Sequence, residues 1–236
     1  MQLTTAAFRL SKWIWLWGPI ALLLLVLGII IFCPEDQMKM LINKEGGLVE
    51  LGTPLLCVPA VIAGLFCIQH LKNLPAKWLM VWLMLVTAAS FYFGGEEISW
   101  GQQLFYWQTP EYMQEINDQR ETNIHNISSW FDQKPRILLE LWVLIGGIFV
   151  PIKLLIRKRD YSYDEWRYWF WPGLKCLPTA IIAIGIKLPE RYRDFLGGDL
   201  PYHLHLRYSE MQEMFFAYFL MVYLLVSYEK LVSCSK

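Results

Sequence analysis

The side chains in this sequence whose type and spacing could do chemistry are carboxylates and imidazoles. Glu96 and Glu97 stand side by side after an apolar run, and His125 follows in a polar stretch. His203 and His205 precede a segment that begins Glu210-Met211-Gln212-Glu213. Carboxylate and imidazole groups supplied by several helices are what a hard or borderline metal ion needs. They are also what general acid–base chemistry needs. The expected catalytic set is Glu96, Glu97, His125 and Glu213. The expected ligands of a divalent metal ion are Glu97, His125, His203, His205 and Glu213. Ser99, Gln103, Asn123, Asn126 and Glu140 complete the polar candidates.

These groups need elements to hold them, and the composition says which. Of 236 residues, 56% are hydrophobic and 18% charged. A soluble domain carries roughly 25% charged residues, so the balance points to a lipid solvent. A formal net charge of zero argues against a nucleic-acid partner, for which a basic surface is expected. Spans of about 20 apolar residues are predicted over residues 13–33, 51–70, 76–93, 137–156, 169–186 and 211–232. The first reads as a signal anchor rather than a cleaved leader, because the run is too long for one. The fifth is the weakest, with Pro172, Lys175 and Pro178 inside it, so five spans is the fallback if it is re-entrant. The expected fold is an all-α membrane protein: about six transmembrane helices in one polytopic domain over residues 1–236. A long, partly helical extracytoplasmic loop joins helices 3 and 4. Lys and Arg in the short loops place both termini in the cytoplasm. Alternation then brings the polar candidates to one outer face.

Several of the polar residues also have a plain structural explanation. Asp118-x-x-Glu121 and Ser209-x-x-Gln212 fit capping boxes, and Thr109-Pro110 fits a helix start. Glu50 and Glu210 suit the positive end of a helix dipole. Glu96 and Glu97 do not, because they end helix 3, where the dipole disfavours negative charge. If helix 3 continued, Glu96, Ser99 and Gln103 would share a face, as would Asn117, Glu121 and His125 on a further helix. Glu140 and Glu213 lie among apolar residues, where a charge is costly and normally has a partner. Lys175 either snorkels to an interface or pairs with a carboxylate such as Glu140. Cys57, Cys67 and Cys176 read as small hydrophobes.

The run Gly95-Glu96-Glu97-Ile98-Ser99-Trp100-Gly101-Gln102, followed by Thr109-Pro110-Glu111 and Glu121-Thr122-Asn123-Ile124-His125-Asn126, resembles a pattern in uncharacterised bacterial multi-pass inner-membrane proteins. The resemblance covers about 35 residues in mid-chain. It implies a bacterial inner-membrane setting and brings no activity with it. Ser99, His125, His203 and His205 are residue types used by membrane hydrolases related to alkaline ceramidases, but the motif order differs.

Three functions are therefore expected, in this order. The first is a membrane enzyme with an outward carboxylate/histidine site, a metal-assisted hydrolase or transferase acting on a lipid or lipid-linked substrate. The second is a non-catalytic scaffold or a subunit of a larger envelope complex, with other membrane subunits as partners. The third is a proton- or ion-coupled transporter using Glu140, Glu213 and Lys175.

Overall fold

In lipid an isolated segment satisfies its backbone polar groups by forming a helix, and six helices here are long and apolar enough to cross a membrane. The structure, a computed structural model, describes residues 8–43, 47–117, 120–124, 127–197 and 206–234. The six helices are α1 (Trp13–Phe32), α2 (Leu48–Ile68), α3 (Lys77–Glu97), α4 (Gln133–Arg157), α5 (Trp166–Leu196) and α6 (Tyr208–Ser233). No strand occurs among the described residues. A helix long and apolar enough to cross a membrane thus lies over each predicted span, and most run a few residues longer than their apolar cores.

The fifth span is long enough to cross but is not one continuous helix. It breaks after Phe170, passes through a 3-10 turn at Leu174–Cys176, and resumes over Leu177–Gly185 and Leu188–Leu196. Pro172 sits in the break, where its missing N–H costs no helical bond.

Helix α6 is the axis of the bundle. Its apolar window is 72% buried, against 17% for α1 and 33% for α2 and α3. Phe215, Phe216, Phe219, Tyr223 and Leu224 point in different directions around it and all are enclosed. A helix that is apolar all round belongs in the interior. Leu24, Leu55 and Leu85 on the outer helices stay exposed, as side chains facing lipid would.

Helices in lipid pack through small residues that let backbones approach. Helix α2 supplies Cys57, Ala60, Ala63, Gly64 and Cys67 as its buried stripe. A Cβ added at Gly64 would lie 2.2 Å from Thr87 Oγ1, and one at Gly94 would lie 2.7 Å from Cys57 Cβ. These contacts fix α3 against α2. Tyr223 ties the far side: its hydroxyl accepts from Trp82 Nε1 at 2.8 Å and lies 3.2 Å from the Phe170 carbonyl. Cys57, Cys67 and Cys176 are buried free thiols, as their apolar surroundings predict.

Candidate functional site

Helix α3 ends at Glu97, earlier than a continuing helix would. Ser99, Trp100 and Gly101 all take positive φ, at 46°, 56° and 95°. For the two non-glycine residues this costs roughly 1–2 kcal/mol each. A dense set of hydrogen bonds holds the turn in place. Ser99 Oγ donates to Glu121 Oε2 at 2.5 Å, and Asn123 Nδ2 donates to both. Trp100 Nε1 donates to Glu96 Oε1 at 2.6 Å, and the Ile124 N–H donates to Glu96 Oε2 at 2.6 Å. Asn117 Nδ2 donates to Asn123 Oδ1, and Gln102 Nε2 to Thr109 Oγ1.

Several local expectations are corrected by this turn. Glu96, Ser99 and Gln103 do not share a continuous helical face, because the reversal at Ser99–Gly101 intervenes. The helix that begins at Glu111 stops at Ile116, so Asn117 and Glu121 are not on one helix. The capping box expected with Glu121 involves Asp118, which lies outside the described residues; the Glu121 N–H donates to Asn117 Oδ1. Thr109 does not cap the following helix but donates to the Arg120 carbonyl. Ser209 and Gln212 likewise form no box: Ser209 Oγ accepts from Lys187 Nζ, and Gln212 Nε2 donates to the Ala183 carbonyl.

Ending α3 at this point leaves Glu97 facing the starts of α4 and α6. One carboxylate oxygen each from Glu97, Glu210 and Glu213 lies within 4.8 Å of the others. Glu213 is buried, and Arg136 of α4 forms an ion pair with it. Arg207 pairs with Glu210 at 2.8 Å and approaches Glu50 at 3.9 Å. Glu97 makes no hydrogen bond or ion pair with another described residue. Oxygens up to 4.8 Å apart span about the distance across an ion with ligand bonds near 2.4 Å, the range of a hard cation such as Ca²⁺.

The trio lines one end of a cavity of about 510 Å³. Its polar end is built by Glu50, Glu97, Glu210 and Glu213 with Arg136 and Arg207. With Glu96 and Glu121, which also line the wall, six carboxylates face two guanidinium groups, an acidic balance that a cation would offset. Glu96, Glu121 and Asn123 also reach the wall, but the turn already engages them. The other end is apolar, with Trp82, Leu85, Ala89, Leu138, Trp142 and Leu220. Trp82 and Glu97 lie about 22 Å apart along α3, at a helical rise of roughly 1.5 Å per residue. Leu85 and Leu138 belong to this wall and are also 58% and 69% exposed. The chamber therefore opens sideways between α3 and α4, toward the surface that lipid would cover. The Trp142 indole N–H lines it, buried and without a hydrogen-bond partner among the described residues.

The structure thus brings together Glu97 and Glu213 from the expected catalytic set, with Glu96 beside them. His125, Asn126, His203, His205 and the side chain of Gln103 lie outside the described residues. Ser99 supports the turn rather than lining the chamber. Glu140 is outside the chamber and pairs with Arg191 of α5. Lys175 pairs with Glu229 at 2.5 Å, not with Glu140. Sequence reasoning passed over Arg136 and Arg207 and assigned Glu210 to a helix end. The missed signal was the requirement itself: an intramembrane carboxylate needs a partner, and each arginine sits at the start of a helix bearing one. No family model, curated protein or solved structure matches the chain.

Proposed function

We propose that the chain is a membrane-embedded enzyme that uses a divalent cation to hydrolyse or transfer the headgroup of a lipid or lipid-linked substrate. The observation that supports this reading is one cavity with a carboxylate end that includes Glu97, Glu210 and Glu213 and an apolar end whose Leu85 and Leu138 are exposed on the flank of the bundle. Its oxygen-only described ligands favour a hard ion such as Mg²⁺, Mn²⁺ or Ca²⁺ over zinc. Glu97, Glu210 and Glu213 would hold the ion, which polarises a phosphoryl or carbonyl oxygen when bound. Arg136 and Arg207 would stabilise negative charge that develops on the reacting group. Glu97 is the group best placed to take a proton from water. Glu96 would act by positioning, through the turn that aims Glu97. The apolar walls would hold an acyl or isoprenoid chain, with the Trp142 N–H as an orienting donor. His125, His203 and His205 remain proposed auxiliary ligands. Short-loop Lys and Arg support a chamber facing outward, with both termini cytoplasmic.

A scaffold reading is favoured by one observation, the engaged turn around Glu96, Ser99 and Glu121, which needs no ligand to account for it. The two readings part at Glu97, which the turn does not use. Membranes from cells producing the wild type and Glu97→Gln should be compared by lipid mass spectrometry, with melting of both purified proteins measured. The enzyme reading expects a lipid species that changes with the wild type and is unchanged with the variant, at equal melting temperature. Identical lipid profiles from the two, with both folded, would reject it.

A further inference from the structure

The end of the bundle opposite the carboxylate chamber holds a second cavity, of about 620 Å³, between the end of α4, the start of α5 and the end of α6. Its charge is of the other sign. Lys158, Arg159, Lys175 and Lys230 line it, against Asp160 and Glu229. Lys175 is neutralised by Glu229 at 2.5 Å. Lys230 makes no ion pair with a described residue: its ammonium donates to the Tyr168 carbonyl at 2.6 Å and lies 4.5 Å from the Tyr168 ring centroid. Asp160 and Glu229 of the same cavity act on it from beyond ion-pair distance. Neither Lys158 nor Arg159 makes an ion pair with a described residue.

The backbone at Lys158 adds a separate observation. Helix α4 ends with Lys158 at φ 49°, its N–H bonded to the Leu155 carbonyl and the Arg159 N–H to the Leu154 carbonyl. This is the helix stop that glycine normally fills, since a side chain in the left-handed region is strained. Here a lysine occupies it, at the rim of a basic cavity. A non-glycine residue in this region is uncommon, and here it places a lysine on the cavity lining. The remaining walls are apolar, with Pro151, Leu155, Trp171, Leu174 and Val226. Leu155 is 52% and Leu174 45% exposed, so the cavity reaches the flank that lipid would cover.

We infer that this cavity is a binding site for the phosphate headgroup of an anionic phospholipid. Basic pockets between membrane helices recognise such headgroups. Lys158, Arg159 and Lys230 would contact the phosphate, and the apolar wall would take the first part of the acyl chains. A free phosphate ion would satisfy the cations but leave that wall uncovered, which is why the lipid is the favoured source.

Purified full-length protein in mild detergent, titrated with short-chain phosphatidylglycerol and read by native mass spectrometry, tests this. One phosphatidylglycerol should be retained in clear preference to phosphatidylcholine of the same chain length. Equimolar inorganic phosphate should not displace it. Lys158→Gly combined with Arg159→Gln should reduce retention roughly tenfold or more, as expected for the loss of two basic groups. Melting should not fall, because glycine suits the φ of 49°. Arg157→Gln removes a neighbouring charge that does not line the cavity and should leave retention unchanged. Equal retention of phosphatidylcholine, displacement by phosphate, wild-type retention in the double variant, or an equal loss in Arg157→Gln would each overturn the inference.

Discussion

Among the acidic residues of the chamber, partnership separates structural from reactive candidates. Both oxygens of Glu96 accept hydrogen bonds, from the Trp100 indole and the Ile124 N–H. Glu213 is matched by Arg136 and Glu210 by Arg207. Glu97 has neither among the described residues; Arg136 and Arg207 share its end of the chamber and act on it only at longer range. Arg136→Ala should destabilise the protein by about 3–5 kcal/mol, because it strands a buried carboxylate; unfolding in a denaturing-detergent titration measures this. Arg136→Met with Glu213→Gln should recover part of the loss. Gly101→Ala should also destabilise, by about 1–2 kcal/mol, since φ at this position is 95°. If it melts like the wild type, the turn is not the clamp described above.

At the scale of helices, the packing stripe on α2 sets how closely α3 approaches. Gly64→Val should cost roughly 1–3 kcal/mol by overpacking against Thr87. Gly28→Val should be nearly neutral, because nothing lies within 4 Å of the added Cβ. Thermal melting of the two variants side by side distinguishes close packing from a general intolerance of α-helical valine. The helices themselves were legible in the sequence, because hydrophobic length is a one-dimensional property. What followed α3 was not. Glu96, Ser99 and Gln103 have helical spacing, yet the chain reverses at Ser99–Gly101. The reversal is stabilised by Glu121 and Asn123, more than twenty residues later in the chain. No local pattern carries that information. The capping pattern at Ser209 failed for a related reason, in that tertiary partners took the side chains of Ser209 and Gln212.

Among the described residues the molecule is a six-helix bundle with cavities of opposite charge at its two ends. Its central helix should be its most stable part. Amide hydrogen exchange should be slowest in α6 and faster in α1, in line with their burial. The sequence located the carboxylate end through Glu97 and Glu213, but not its shape. Arg136, Arg207 and Glu50 enter only when helices distant in sequence are set side by side. The histidine ligands anticipated at His125, His203 and His205 fall outside the described residues, so the described donors are all oxygen. Glu97, Glu210 and Glu213 are proposed to form a cation site. Titration of the detergent-purified protein with Mn²⁺, followed by electron paramagnetic resonance, tests it most directly. The account predicts a single Mn²⁺ per chain, displaced by Mg²⁺ or Ca²⁺, and an affinity weaker by roughly tenfold or more in Glu97→Gln at unchanged melting temperature. No stoichiometric binding, or the same affinity in the variant, would contradict it.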